Sequence, residues 1–335
     1  MDSSSTQDDD SPGSRPSVTD ADARERLTTP VLFVVFNRPE TTREVFETIR
    51  AAEPPRLYIA ADGPRHDRPG EAARVAQVRR YVTENVDWDC VVKKRFGSEN
   101  LGCRAGVSEA ISWFFENEEA GIILEDDCVP DQTFFHYCQQ LLERYRDDDR
   151  VMHVAGSCLM RNMKERESYF FSKYPAVWGW ATWKDAWSKF SLDTPNFEED
   201  FRQIDRQFPL DEEKAYWKMI MGRHFAGRID TWDYAWAFSI WRHQGLAVYP
   251  TRNLVRNIGF GADSTHTKRW KDYKGLGDLK TQSMEKIIHP EAVHVNVELD
   301  NRVFIETYRR PAIVVRMFHV AGRLASNAVS SLRSK

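Results

Sequence analysis

From residue 30 to about residue 157 the chain alternates short apolar runs with longer amphipathic ones. "PVLFVVFNRPE" opens the series, and Val31–Phe36 is a continuous apolar run with β-branched residues, which predicts a buried strand. "RPETTREVFETIRAA" follows, with Val45, Phe46 and Ile49 at helical spacing. "RLYIAADGP" predicts a second strand, ended by the turn signal Asp62-Gly63-Pro64. "GEAARVAQVRRYVTENV" reads as a helix, "DCVVKKRF" as a strand, "RAGVSEAISWFFENE" as a helix and "AGIILEDD" as a strand. "PDQTFFHYCQQLLERYRDDD" predicts a helix with Phe134, Phe135, Tyr137, Cys138, Leu141, Leu142 and Tyr145 on its apolar face, and "VMHVAGS" a further strand. Strands alternating with helices imply βαβ units and a mainly parallel sheet flanked by helices, an α/β fold. Right-handed crossovers then put a ligand crevice beyond the C-terminal strand ends.

The flanking segments differ. Residues 1–27 are rich in Ser, Asp and Pro with few large apolar residues, a composition that cannot bury a core and predicts disorder. The second half of the chain concentrates eight of the eleven tryptophans between Trp178 and Trp241. "NIGFGADSTHTKRW" (257–270) is polar and Gly-rich and reads as a mobile loop. The last segment has no acid after Glu306, and Ile313, Met317, Val320, Ala321 and Leu324 share one helical face. It reads either as a basic amphipathic helix making peripheral contact with an anionic membrane surface or as a terminal helix packed on the domain. The expected division is a tail (1–27), a catalytic domain (28–305, with halves at 28–160 and 161–305) and a basic tail (306–335).

Composition narrows the classes. The chain has 335 residues, 41% hydrophobic and 29% charged, with a net charge of −4. That is ordinary for a globular protein and offers no global polycation for nucleic acid. No apolar run approaches the roughly 18 residues of a spanning helix, and the first residues lack the apolar core of a secretory signal. Five cysteines without metal-type spacing read as reduced thiols, so the expected location is cytoplasmic.

The chemistry concentrates where "AGIILEDDCVPD" (120–131) turns abruptly from apolar to acidic. Glu125, Asp126 and Asp127 repel one another unless a cation relieves them. Mg²⁺ or Mn²⁺, bound through a carboxylate and substrate phosphates, would do so. A helix N-cap is the structural alternative, but Asp131 after Pro130 suffices for that. "GSENLGCRAG" (97–106) is a Gly-rich turn before a helix, where Asn100 and Arg104 are candidates to meet a phosphate. An ordinary β–α turn explains it equally. Asp233 sits among Trp232, Tyr234 and Trp236, where burial can raise its pKa; Asp230 is its rival, and an early-turn acid the structural alternative. The tryptophan cluster reads either as an acceptor platform, since sugars stack their CH faces on aromatic rings, or, residue by residue, as core, with Trp180 and Trp232 kept as neighbours of the site.

Taken together, "IILEDDCVPDQTFFHYCQQLL" resembles the acidic motif and following helix of GT-A glycosyltransferases, and is most similar to the N-acetylglucosaminyltransferase I family. That family has an EDD version of the DxD motif, then an apolar residue, a Pro-Asp and a Phe-Phe pair. "PVLFVVFNRPE", "YIAADGP", "YPAVWGWATWKDAW" and "TWDYAWAFSIWRHQGLAVYPTRNLVRNIGFG" are similar to its other segments in the same order, from about residue 30 to 265. The resemblance implies a GT-A (Rossmann-like nucleotide-diphospho-sugar transferase) fold and a metal-dependent, inverting transfer from a UDP-sugar, with GlcNAc first. It implies Asp127 as metal ligand and Glu125 and Asp126 on the ribose, donor sugar or metal-bound water. It further implies Asp62 on the uracil, Arg38 on ribose or diphosphate, Asp233 as general base, and His266 near the diphosphate in a closed loop. Phe36 departs from the family, which has a cysteine near the base. The acceptor is expected to be a glycan, a lipid-linked sugar or a small molecule. The rival readings are a sugar-1-phosphate nucleotidyltransferase, whose Gly-rich signature "FNRPETTR" lacks, and a non-catalytic binding module. No GxGxxG follows the first strand, which argues against a nicotinamide dehydrogenase.

Overall fold

The computed structural model describes residues 26–260 and 279–309. In chain order its elements are β1 (Val31–Val35), α1 (Pro39–Ala52), β2 (Arg56–Ala61), α2 (Glu71–Glu84), β3 (Val91–Phe96), α3 (Gly102–Phe115) and β4 (Ala120–Glu125). Then come β5 (Cys128–Pro130), α4 (Thr133–Arg144), β6 (Val151–Ala155), β7 (Tyr169–Ser172), β8 (Trp180–Trp183), α5 (Lys184–Trp187) and α6 (Phe197–Ile204). α7 (Asp211–Phe225), α8 (Asp233–Arg242), β9 (Leu246–Pro250), β10 (Val255–Asn257), α9 (Val297–Val303) and a π-helical turn (Phe304–Tyr308) complete the series.

Eight strands form one sheet in the order β3-β2-β1-β4-β8-β6-β9-β7. The pairs β3/β2, β2/β1, β1/β4 and β6/β9 are parallel; β4/β8, β8/β6 and β9/β7 are antiparallel. The mixed, mainly parallel α/β sheet flanked by helices is therefore as expected. The central strands read as unbroken apolar runs because both faces are covered: Val31, Leu32, Phe33, Ile122, Ile123 and Leu124 are fully buried. Edge strand β3 instead exposes Lys93 and Lys94, charges that discourage pairing with another chain.

Three expectations need correcting. The split at residue 160 does not divide the sheet, because β8 pairs with β4 and β6, β9 pairs with β6, and β7 pairs with β9. Leu27, placed in the disordered tail, is 3% exposed and belongs to the core; residues 1–25 lie outside the described residues. Glu306–Tyr308, placed in the basic tail, belong to the π-helical turn, and Tyr308 packs on Trp217. The proposed membrane-facing helix lies outside the described residues.

The strand expected over 120–127 stops at Glu125. There the chain turns into β5, which pairs antiparallel with β10 in a two-stranded ribbon. That ribbon brings Asn257 opposite Cys128 and beside the acids.

Candidate functional site

β1, β2 and β4 are parallel neighbours, so their C-terminal ends share one edge. Phe36 and Arg38 follow β1, Asp62 follows β2, and Glu125, Asp126 and Asp127 end β4. All six line one cavity of about 610 Å³. Asp233, the first residue of α8, lines the same cavity, as do Asn100 and Trp232.

The three acids differ in their surroundings. Asp126 is 3% exposed and accepts from the Phe36 N–H at 3.1 Å and from Arg38 Nη2. Asp127 accepts from Arg38 Nη1 at 2.9 Å on Oδ2 and from Asn257 Nδ2 at 3.2 Å on Oδ1. Burial alone would lower the Arg38 pKa, but the Asp126 and Asp127 charges outweigh it and hold it above its ordinary value. Glu125 lacks such a partner among the described residues. Burial, then the Asp127 and Asp126 charges, push it up to about 8. Burial also pushes Asp126 upward, against the pull of Arg38. The answer to the abrupt acidic strand end is thus partly internal: one guanidinium bridges two of the acids.

Gly259 explains how the ribbon closes on Asp127. A Cβ added there would lie 2.2 Å from Asp127 Oδ2 and 3.0 Å from Arg38 Nη1, so only glycine permits the approach. The Ile258 N–H donates to the Asp127 carbonyl at 2.8 Å and secures the same contact.

Asp62 serves the fold as well as the cavity. Its carboxylate accepts from the N–H groups of Leu101 (2.9 Å), Gly102 (3.0 Å) and Gly63 (3.0 Å), two of them at the start of α3. These bonds satisfy donors the helix leaves open and place negative charge at its positive end. Asn100 Nδ2 donates to the Gly63 carbonyl at 2.9 Å, tying the two loops together. Phe36, which replaces a cysteine of the resembling family, carries the Arg65 guanidinium over its ring at 5.4 Å. Arg65 is in turn held by Glu71, a buried carboxylate that also accepts from Asn37.

Across the cavity, Thr231 Oγ1 donates to Asp233 Oδ1. Asp230, its rival, lies with Oδ2 against Gly102 and does not line the cavity. Cys103 stands between the two acidic groups. Burial, with the Glu125 and Asp233 charges, raises its pKa and keeps it a neutral thiol.

Two expected site residues are elsewhere. Arg104 Nη2 donates to the Leu192 carbonyl and to Asp193, both at 2.7 Å, and does not line the cavity. Its position on α3 turns it toward the loop after α5 rather than toward a phosphate. Trp180 is fully buried on β8, sandwiched between His153 (4.9 Å) and Trp232 (5.4 Å). It is core, and no sugar reaches its ring. His266 lies outside the described residues.

The sequence alone did not single out Asn257, Gly259, Arg65 or the tyrosines Tyr174, Tyr216 and Tyr308 of the cavity lining. "NIGFG" after a short strand was the available signal for the first two; nothing local pointed to Arg65.

No family model matches the chain, and no curated protein matches it. Among solved structures, mouse xyloside xylosyltransferase 1 in its apo form is similar over 64% of this chain and 81% of that one, at 11% identity and a TM-score of 0.32. At that score the likeness says nothing of this site's chemistry.

Proposed function

We propose that this chain is an inverting glycosyltransferase that moves a sugar, GlcNAc first, from a UDP-sugar to an acceptor hydroxyl with the help of Mn²⁺ or Mg²⁺. The observation that supports it most is the single cavity that joins the acid-bearing end of β4 to Asp233 at the start of α8.

Among the described residues no three His, Cys, Asp or Glu groups converge on one point. The protein therefore supplies few ligands, as is common for Mg²⁺-type ions bound with substrate phosphates. Asp127 fits that part. It offers hard oxygen donors and its side chain is 15% exposed; Oδ1 accepts from Asn257 and from the Cys128 thiol at 3.4 Å, and Oδ2 keeps a lone pair beyond its bond to Arg38. When bound, the ion would neutralise charge developing on the leaving diphosphate.

The chain's own residues do the rest. Arg38 offsets part of the negative charge of Asp126 and Asp127 before the donor arrives, and its always-charged guanidinium is placed to meet the diphosphate. Phe36, backed by Arg65, offers a flat apolar face beside the Asp62 turn for the base. The Asp62 carboxylate already accepts three N–H groups, which leaves it little capacity for a direct uracil contact. Asp233 takes the proton of the acceptor hydroxyl. The freed oxygen attacks the anomeric carbon from the face opposite the diphosphate, the carbon–oxygen bond to UDP breaks, and configuration inverts.

The test is UDP release from a panel of UDP- and GDP-sugars, with and without Mn²⁺. We expect metal-dependent release from one donor, reduced at least about 100-fold in Asp127→Ala. Release of pyrophosphate from a nucleoside triphosphate and a sugar phosphate would instead establish the nucleotidyltransferase reading. Binding of a nucleotide sugar with no turnover, even with acceptors present, would leave a binding module.

A further inference from the structure

The lining of the cavity divides by chain segment. Its charged lining residues other than Asp233 all come from the first 127 residues of the chain. From Ser157 onward every other described lining residue is uncharged, and the walls there are largely aromatic. Tyr308, from the π-helical turn, packs on Trp217 at 4.8 Å and on Tyr174 at 5.3 Å, and all three line the cavity. Lys173 lies behind Tyr174 but is neutralised by Asp300 at 2.9 Å and Glu213 at 3.1 Å, and it does not line the cavity.

Buried hydroxyls supply the second observation. Ser157 Oγ and Thr307 Oγ1 are buried and have no hydrogen-bond partner among the described residues. Other buried polar atoms are also unpartnered, but only these two belong to residues that line the cavity. Ser157 is 1% exposed. The segments that carry them are tied together: the Arg161 N–H donates to Glu306 Oε2 at 3.0 Å, and Arg302 Nη2 donates to the Arg161 carbonyl at 3.1 Å. Buried hydroxyls without partners are costly, and those that persist at a cavity wall are explained by a ligand that pairs with them.

We propose that this part of the cavity is a subsite for an uncharged saccharide, bonded by Ser157 Oγ and Thr307 Oγ1 and walled by Tyr308, Trp217 and Tyr174. Each Ser or Thr hydroxyl both donates and accepts, which matches sugar hydroxyls. The CH face of a pyranose packs on aromatic rings. A uronate or sugar phosphate would lose its hydration here with no cationic partner among the described lining residues from Ser157 onward. An alkyl chain would leave both hydroxyls unpaired. The saccharide's role as acceptor rests on the transfer reading above, whereas its binding rests on the cavity alone.

Trp217 and Trp178 line the cavity, so tryptophan fluorescence reports binding without turnover. The protein would be titrated, with UDP and Mn²⁺ present, with methyl β-glycosides of glucose, galactose and GlcNAc and their 1→4-linked disaccharides. Methyl glucuronide and glucose 6-phosphate are the charged comparators. We expect saturable quenching by at least one neutral saccharide, at least about tenfold tighter than by its charged counterpart. Ser157→Ala and Thr307→Val should raise its Kd roughly 5- to 20-fold, while Thr307→Ser, which keeps the hydroxyl, should stay near wild type. Equal binding of the charged sugars, unchanged affinity in both hydroxyl-deleting variants, or no saturable binding at millimolar concentration would overturn the subsite. UDP release followed in parallel separates the two readings. Saccharide binding without faster UDP release removes the transfer reading and keeps the subsite. Donor turnover with no saccharide bound or accelerating does the reverse.

Discussion

At the scale of single residues, the close contact between Gly259 and Asp127 holds the acids in place. Replacing Gly259 by Ala would push its Cβ into Asp127 Oδ2 and Arg38 Nη1, so the loop or the carboxylate must move. Because a misplacement of about 1 Å in a catalytic group costs on the order of 100-fold, we expect Gly259→Ala to lower donor turnover by about that factor. Its denaturant midpoint should stay close to wild type, since the loop can shift away from the core. Asp62→Ala should behave differently. It leaves the first N–H groups of α3 without their acceptor, and we expect about 1–2 kcal/mol of lost stability in urea unfolding. The acid triplet was legible because its break with the preceding apolar run is abrupt. Arg104 and Trp180 were not: sequence spacing places a residue on an element but does not say which neighbour its side chain meets. Arg104 meets the loop after α5, and Trp180 meets His153 and Trp232.

At the scale of elements, charged clusters hold the structure in two places. Glu71 on α2 receives bonds from the Arg65 N–H and guanidinium and from Asn37. The Arg65 hydrogen bond, against the opposing effect of burial, lowers its pKa to about 2. A lowered carboxylate pKa stabilises the fold above its unfolded value and loses that contribution as pH falls through the folded one. The Glu71 share, on the order of 1–2 kcal/mol once solvent screening of the partly exposed Arg65 is allowed for, should therefore disappear between about pH 4.5 and pH 2, and Glu71→Gln should flatten that part of the stability profile. The second cluster joins β7, α7 and α9 through Lys173, Glu213 and Asp300. Burial pushes the Asp300 pKa up, with Lys173 opposing. Lys173→Met would leave two buried acids uncompensated, and we expect a loss of about 3–5 kcal/mol near neutral pH. The variant should regain part of it on acidification, since a raised carboxylate pKa contributes stability that is lost as pH rises. The βαβ half was readable from its alternation of apolar runs and amphipathic helices. β7 and β8 were not, because each is four residues long and buried throughout, so neither carries a period. The β5–β10 ribbon was hidden for a related reason: its strands are three residues long and 124 residues separate their ends.

At the scale of the molecule, the sheet gathers residues from Val34 to Tyr308 around one cavity, whose charged lining residues other than Asp233 come from the first 127 residues. The central claim is that the acid-bearing end of β4 takes a nucleoside diphosphate sugar through a divalent ion on Asp127. Calorimetric titration of UDP-GlcNAc into the wild type and Asp127→Ala, each with Mn²⁺ and with EDTA, tests it most directly. The account predicts wild-type binding at least about tenfold tighter with Mn²⁺ than with EDTA, and no difference between the two conditions in the variant. Equal affinity with and without Mn²⁺ in the wild type, or no binding in either condition, would contradict it.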